Sequence, residues 1–460
     1  MTGGLRQERN LRAGFAAIRV PAYRRYLVGA TANSITVWLF QTAISWTILQ
    51  QTGSAAAVGV LFLAWTFPTL FTMIPAGVLV DRIGPRRGML ISQGLSVIAF
   101  AGGAYLAATG QLTVEWALVL AVVVGALDGF WSSPSLVMAG RIVEPSLLPS
   151  AMGLSSLTFG AGRIIGGLLG GLLVAANGPT PALAMAAFGP LVAGLMTLTL
   201  PNVPGLERRR GSMRDFPDAL NWMARVPAAR ALLLLGMAVA TFGYSYVSLL
   251  PILTQDLLGA GATALGVVTA ATGFGVIIGA LVMEALGRAI GRGRTILLVL
   301  LLGSAAMAAL GLSHLLPVSM VVAGTLACVL IIFRTTTIAL LQALAPARMR
   351  GRVLAIFEVC FWGINPIGGL LGGLLADRVG AAEMFIVFGA ALAISTVAAA
   401  LLYRGLPSLD IESQGRVMIR GLVYVDGRVL PRSAEPAGSA TAGFSPGHPA
   451  LSESSPPEPG

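Results

Sequence analysis

The sequence GGLLGGLL occurs twice, at Gly166–Leu173 and at Gly368–Leu375, 202 positions apart. Each copy lies in an apolar run long enough for a helix to cross ~30 Å of hydrocarbon at ~1.5 Å per residue. Each is also the fifth of six such runs in its half of the chain. Equal placement in two sets of six predicts two related halves that repeat in parallel.

The composition supports a membrane protein. Of the 460 residues, 56% are hydrophobic and 11% are charged, whereas soluble domains carry about 25% charged residues. The predicted fold is all-α and integral to the membrane, with twelve transmembrane helices in two pseudo-symmetric six-helix bundles. The predicted spans are 26–49, 57–80, 89–108, 114–139, 151–176 and 181–200, then 231–253, 264–287, 295–313, 318–343, 353–376 and 382–403.

Polar segments divide the chain into five parts. A basic leader at 1–25 precedes the N-terminal bundle at 26–200, and the first apolar run predicts a retained helix, not a signal peptide. A linker at 201–230, with a surface helix around Phe216–Arg225, leads to the C-terminal bundle at 231–403. In the tail, 404–460, Asp426-Gly427 predicts a small hairpin. Ser, Pro, Ala and Gly dominate after Pro431, so most of the tail is expected to be disordered.

Arginine supplies all 30 basic residues, and its distribution predicts the orientation. The leader, the tail, the central linker and the even-numbered loops hold 27 of them. Because basic residues concentrate on the cytoplasmic side, both termini are predicted to be cytoplasmic. The predicted location is the cell (cytoplasmic, or inner) membrane. The net charge of +11 therefore indicates topology and not nucleic-acid binding.

Several classes of chemistry are excluded. The chain has no lysine, so it has no Walker A loop, whose lysine contacts the nucleotide phosphates. Two histidines and two cysteines are too few and too separated for a metal cluster, and Cys328 and Cys360 fall inside spans as packing residues. Since no nucleophile, base and acid set is evident, we expect no enzyme, no cofactor and no metal.

The loop after span 2, Gly77–Arg87, reads GVLVDRIGPRR. This pattern resembles the signature loop of the major facilitator superfamily. The resemblance implies that the loop latches the two halves together on the cytoplasmic side in the outward-facing state. The corresponding segment of the second half, Gly279–Arg294, lacks the aspartate. The predicted gating residues of the loop are Gly77, Asp81, Arg82, Gly84, Arg86 and Arg87.

Span 5 is rich in glycine at spacings that let helices touch backbone to backbone. It resembles the antiporter motif of the superfamily, with Gly167 where that motif has proline. Arg19–Leu27, Ser150–Gly171 and Gln342–Gly380 are similar to the enterobactin-exporter and macrolide-efflux branch, which implies proton-driven export of a bulky organic compound. The predicted helix-packing residues are Gly162, Gly166, Gly167, Gly170 and Gly171.

Ionisable residues inside spans are functional candidates because burying them in hydrocarbon is costly. Asp128 in span 4 and Arg163 in span 5 have similar depths, so they are predicted to pair, either as a static ion pair or as the proton-coupling site. Arg334 in span 10 and Glu358 in span 11 differ by ~10 Å in predicted depth when measured from nearby arginines. Arg334 is therefore expected to lie alone in the cavity and Glu358 to belong to the cytoplasmic gate.

The superfamily resemblance implies a cavity lined by spans 1, 4, 7 and 10. Aromatic rings, amides and a cation suit an amphipathic ligand. With the proton-driven export and the monomeric state that the resemblance implies, the predicted function is proton-coupled export of a drug, siderophore or secondary metabolite by a monomer. Two alternatives remain: an uptake symporter of the same fold, and a non-transporting sensor or lipid-handling protein. The predicted substrate-binding residues are Asn33, Trp38, Gln41, Trp131, Tyr244, Tyr246, Arg334 and Gln342.

Overall fold

A computed structural model describes residues 16–203 and 216–411 together with three strands beyond them. In that part of the chain, twelve helical segments are long and apolar enough to cross a membrane, so the predicted fold class is confirmed. In order, spans 1 to 6 are Pro21–Thr52, Ala55–Ile83, Pro85–Ala108, Val114–Ile142, Leu148–Asn177 and Pro179–Leu198. Spans 7 to 12 are Pro227–Leu257, Ala262–Ile290, Arg292–Gly311, Leu316–Leu344, Arg350–Val379 and Ala381–Leu402.

Two spans are interrupted. Span 6 consists of Pro179–Ala186 and Phe188–Leu198, and span 7 contains two π-helical segments, Val239–Gly243 and Leu253–Leu257, on either side of Tyr246–Ile252. A π turn widens a helix locally and is common at functional sites. The linker helix Phe216–Arg225 is present as predicted. Short 3₁₀ turns cover Ala16–Arg19, Pro145–Leu147 and Leu406–Ser408.

Pairs of spans from different halves join the molecule. Span 5 packs along span 1 of its own half and along span 8 of the other half, and span 11 packs along span 2. The first GGLLGGLL repeat makes both contacts of span 5. A Cβ added to Gly166 would lie 2.3 Å from the Ile35 carbonyl oxygen in span 1, and one on Gly171 would lie 2.5 Å from the Ala262 oxygen in span 8.

The second repeat is used in the same way. A Cβ on Gly368 would lie 2.2 Å from the Thr241 oxygen in span 7, and one on Gly373 would lie 2.5 Å from the Ala55 oxygen in span 2. In each copy, one glycine face therefore packs inside its own half and another packs against the other half. Small residues permit this close approach of helices in a bilayer.

The face of the membrane at which span 1 begins and span 12 ends is called the termini face below. Close packing between the halves extends from the opposite face to the middle of the spans, as at Gly59 against Leu370 and at Gly160 against Gly273. Nearer the termini face, a Cβ added to Gly77 or Gly153 would meet nothing within 4 Å. The close glycine contacts between the halves thus lie from the opposite face to the middle of the spans, whereas Gly77 and Gly153 have open space beside them.

The beginning of the tail is folded. Leu406 and Leu409 are fully buried, and Gly293 at the start of span 9 donates its N–H to the Leu409 carbonyl at 2.8 Å. Arg292 forms an ion pair of 3.4 Å with Asp410. The segment 406–411 is therefore docked against the second half.

An antiparallel sheet follows in the tail. Its order is β1 (Asp410–Ile411), β2 (Val417–Ile419), β3 (Leu422–Val425) and β4 (Arg428–Pro431). Val425 pairs with Arg428, so the predicted hairpin forms between β3 and β4. The disorder predicted after Pro431 falls outside the described residues.

Adding one methyl group should detach the docked tail. In Gly293→Ala the new Cβ would overlap the Leu406 carbonyl oxygen at 1.9 Å, and overpacking of this kind costs about 1–3 kcal/mol. We expect trypsin to cleave after the exposed Arg404 about tenfold faster. Gly351→Ala is the matched control because its Cβ meets nothing within 4 Å. Equal cleavage rates in the two variants would contradict the docking.

Candidate functional site

Arg163 joins the two halves in the middle of the membrane. Its side chain is almost fully buried, at 3% exposure, and its guanidinium carbon lies 4.3 Å from the centre of the Trp38 ring in span 1. Its Nη2 donates a hydrogen bond of 3.1 Å to the hydroxyl of Tyr246 in span 7. Stacking on an aromatic face stabilises a desolvated guanidinium, and the hydrogen bond crosses from the first half to the second.

A narrow recess of about 10 Å³, room for about one water molecule, lies beside this cluster, between spans 1, 7 and 8. Among the described residues, Trp38 Nε1 and Gln41 Oε1 are buried and have no hydrogen-bond partner. Buried polar groups are nearly always bonded, so these atoms offer a ligand one donor and one acceptor. The residues that line the recess are Trp38, Gln41, Thr42, Ser45, Val247, Leu250, Pro251, Leu265 and Thr269.

Asp128 does not pair with Arg163, and the predicted ion pair is wrong for this conformation. Asp128 is half-buried, and within residues 16–203 and 216–411 no hydrogen bond or ion pair reaches its carboxylate. The physical reason is the packing order. Span 5 packs along span 1, whereas span 4 packs along spans 2 and 3, so similar depth did not make the two side chains neighbours.

Arg334 and Glu358 do pair, contrary to the prediction. Arg334 Nη2 lies 2.9 Å from Glu358 Oε1 and 3.0 Å from Oε2. Trp362 donates its ring N–H to the same carboxylate at 2.9 Å, and Arg334 lies 5.6 Å from the centre of that ring. Tyr244 packs edge-on against Trp362. The second half therefore holds a polar cluster to which both Arg334 and Glu358 belong.

The wrong depth came from the reference points. Arg334 lies ten residues before the end of span 10 at Leu344, and Glu358 lies eight residues after the start of span 11 at Arg350. These offsets correspond to depths of ~15 Å and ~12 Å. Measured from the helix ends, the two side chains lie at nearly the same depth. The predicted depths were measured from Arg348, which lies beyond the end of span 10, and from Arg352, which lies inside span 11.

The remaining predicted substrate residues are dispersed. Asn33 accepts a hydrogen bond from Gln93 at 3.3 Å, and Trp131 packs in a small apolar cluster with the start of span 1. Gln342 is exposed, two residues from the end of span 10. Of the predicted set, Trp38, Gln41 and Tyr246 gather around Arg163 and the recess, while Tyr244 and Arg334 belong to the second cluster.

The signature loop does not latch the halves in this conformation. Asp81 is exposed, and none of the described residues bonds to its carboxylate. Arg86 donates to the Thr197 and Leu198 carbonyls at the end of span 6, which anchors the loop to its own half. Arg82 and Arg87 are exposed, and Gly84 forms the turn between spans 2 and 3.

Asp377, at the end of span 11, was missed by the sequence reasoning. Its carboxylate accepts hydrogen bonds from the start of span 2 in the other half. A signal for it exists, because the tetrad Asp377-Arg378-Val379-Gly380 repeats the Asp-Arg-x-Gly pattern that begins at Asp81.

The sequence profile of the transmembrane secretion effector family matches residues 12–420. The chain belongs to this family. The multidrug efflux pump Tap of Mycolicibacterium fortuitum is 28% identical over 411 residues, which cover 84% of this chain and 96% of the pump. The enterobactin exporter EntS of Escherichia coli is 28% identical over 373 residues, covering 78% of this chain and 86% of the exporter.

Solved structures show the same fold. The nucleoside transporter NupG superposes with a TM-score of 0.66 at 13% identity, over 83% of this chain and 98% of NupG. A bacterial homologue of the lysosomal transporter Spinster, in an inward-facing and unoccupied conformation, gives 0.62 at 16% identity, over 85% of this chain and 95% of that chain. The superfamily resemblance is confirmed: the chain is a multi-pass transporter of the efflux type and not an enzyme.

Proposed function

We propose that this transporter exports small amphipathic organic compounds from the cytoplasm in exchange for protons, by alternating access and as a monomer. The observation that carries the proposal is the inter-half contact of Arg163 with Tyr246 beside the recess. Efflux pumps and an exporter among the relatives support the direction. The arginine distribution supports cytoplasmic termini in the cell membrane, so that the described conformation is open toward the cytoplasm.

The side chains around the recess suit a compound with a flat apolar part and a polar edge, which we expect to enter when the spans around the recess move apart. Apolar side chains surround the buried Trp38 N–H and Gln41 carbonyl, a combination that is typical of small-molecule sites. The guanidinium of Arg163 stands against the Trp38 ring and supplies a cation for an anionic or strongly accepting group. A compound bound here touches spans 1, 7 and 8, and therefore both halves.

Proton coupling is assigned to Asp128. Ser135 lies two turns further along span 4 on the same face, and its hydroxyl is 2.8 Å from that of Tyr26 in span 1. The spacing of seven residues places Asp128 at the depth of Asn33, deep in the membrane. An isolated carboxylate at such a depth costs about 2.5–3.5 kcal/mol. In the conformation described, Asp128 is accordingly proposed to carry a proton, which it exchanges when the surroundings of span 4 change.

Removing this carboxylate should abolish coupling. In proteoliposomes with an imposed pH gradient, we expect Asp128→Asn to lower gradient-driven transport of enterobactin or ethidium at least tenfold, because loss of a positioned proton-transfer group typically costs about 10²–10⁴ in rate. Glu115→Gln is the matched control, since Glu115 is an exposed acid at the other end of the same span. Transport by Asp128→Asn at the wild-type rate would disprove the assignment.

One observation favours uptake symport as a second candidate. Gly167 stands where the antiporter motif of the superfamily has proline, and it packs against Thr269 of span 8. A symporter would accumulate the probe inside energised cells, whereas an exporter keeps it below the level found in cells without this chain. Direct measurement of intracellular enterobactin and ethidium separates the two.

A further inference from the structure

Spans 2 and 11 end in the same tetrad. Asp81-Arg82-Ile83-Gly84 closes span 2 and Asp377-Arg378-Val379-Gly380 closes span 11. The two glycines have similar backbone angles, with φ 83° and ψ 152° at Gly84 and φ 104° and ψ 157° at Gly380. These positive φ values favour glycine. The shared geometry means that both aspartates stand three residues before the same kind of sharp turn.

The two spans are neighbours in different halves and run in opposite directions. Span 2 begins at Ala55 on the opposite face and ends on the termini face, while span 11 begins at Arg350 on the termini face. Their packing places each tetrad on the membrane face at which the other span begins.

On the opposite face, the tetrad of span 11 is engaged. Asp377 accepts hydrogen bonds from Ser54 Oγ at 2.6 Å, Ala55 N at 2.7 Å and Ala56 N at 3.1 Å. The first N–H groups of a helix have no partner within it and carry partial positive charge, so a carboxylate placed there is stabilising. This carboxylate comes from the other half and ties the halves together.

On the termini face, the tetrad of span 2 is disengaged. Asp81 is exposed, and a Cβ added to the nearby Gly77 would meet nothing within 4 Å. The start of span 11 has no acid in its first turn, and Met349 at its N-cap makes no side-chain capping bond. The contact between an aspartate and a helix start is thus formed on the opposite face, and the corresponding contact on the termini face is not formed.

We propose that Asp377 is the latch of the opposite face and the counterpart of Asp81, so that spans 2 and 11 carry one acid–helix latch at each end and engage one at a time. The inference rests on the alternating access of the proposed function, but on neither its substrate nor its protons. Asp377 stabilises the state open on the termini face, and Asp81 stabilises the state closed there.

An introduced cysteine reports the equilibrium without any substrate. Ala262 is 4% exposed and is sealed against Gly171 in the contact between spans 5 and 8, away from the contact between spans 2 and 11. Cys328→Ser and Cys360→Ser remove the native thiols. In nanodiscs, the rate at which a membrane-impermeant maleimide modifies Ala262→Cys measures how often the opposite face opens, including states of low population.

We expect Asp377→Asn to raise this rate about 3- to 30-fold, because the amide has one acceptor oxygen in place of two and lacks the negative charge that stabilises a helix N-terminus. Glu383→Gln removes an exposed acid from the same face, in the first turn of span 12, and should leave the rate within twofold. Asp81→Asn should lower the rate, and the double variant Asp81→Asn/Asp377→Asn should lie between the two single variants.

An unchanged rate in Asp377→Asn would overturn the proposal, as would equal increases in Asp377→Asn and Glu383→Gln. If Asp81→Asn and Asp377→Asn changed the modification rate in the same direction, the proposal that the two latches engage one at a time would be overturned. Failure of the proposed transport function is a separate result, because the modification assay contains neither a substrate nor a proton gradient.

Discussion

Arg163→Gln is expected to lower the initial rate of transport about 100-fold, because truncating one partner of a buried, hydrogen-bonded charged group costs about 2–5 kcal/mol. The variant loses the stacking on Trp38 and the bond to Tyr246. It also loses the cation beside the recess. Initial rates in proteoliposomes with enterobactin or ethidium measure the effect, and the melting temperature in detergent shows whether the variant is folded.

Two further variants separate the contributions of the hydrogen bond and of the aromatic stacking to this loss of transport. Tyr246→Phe keeps the ring and removes the hydroxyl that accepts from Arg163, and we expect about a tenfold loss, since hydrogen bonds to charged groups contribute about 1.5–3 kcal/mol. Arg163→Lys keeps the charge without the planar group that stacks on Trp38, and should fall between these two variants. Wild-type transport by Arg163→Gln, in a folded protein, would contradict the role of this contact.

The two sets of charged residues inside the spans show what can be predicted from the sequence and what cannot. For Asp128 and Arg163 the predicted depths agree with the helices observed, but the assumption that spans 4 and 5 are neighbours failed. For Arg334 and Glu358 the spans are neighbours, but the depth was wrong. Depth depends on the local position of helix ends, and neighbourhood depends on the packing of the whole bundle. The first can be corrected from better boundaries, and the second needs the tertiary structure.

The features that were predicted well depend on the order of residues along the chain alone. The twelve spans are predicted from the lengths of the apolar runs, and their division into two halves is predicted from the repeated GGLLGGLL. The clustering of Trp38, Gln41 and Tyr246 around Arg163 was beyond such reasoning because it depends on which face of each helix meets another. Asp377 is an intermediate case, since its tetrad is visible in the sequence while its bonds to span 2 are visible in the structure alone.

Substitutions in the first GGLLGGLL repeat should distinguish effects on folding from effects on transport. In Gly171→Val, the added side chain collides with Ala262 and Gly266 of span 8, where a Cβ would lie 2.5 Å from the Ala262 oxygen. That contact joins the halves on the opposite face, so the molecule can relieve the collision by opening there. Overpacking by about 1–3 kcal/mol predicts a shift toward the opened state of about 5- to 150-fold, together with a comparable loss of transport.

Gly166→Val provides the contrast, because its collision with Ile35 lies inside the first half, where a Cβ would approach the carbonyl oxygen to 2.3 Å. No rearrangement of one half against the other relieves it, so this variant should melt at a lower temperature and give less folded protein.

The reporter for both variants is Ala55→Cys, which is 1% exposed and packs against Gly373 in the contact between spans 2 and 11. Its maleimide modification should accelerate in Gly171→Val at a nearly unchanged melting temperature. Valine has a higher helix propensity than glycine, so a loss of helix cannot explain either result. If Gly171→Val destabilised the protein as much as Gly166→Val and left Ala55→Cys protected, the two glycines would not have separate roles. Gly166 could then not be assigned to packing within a half and Gly171 to contact between the halves.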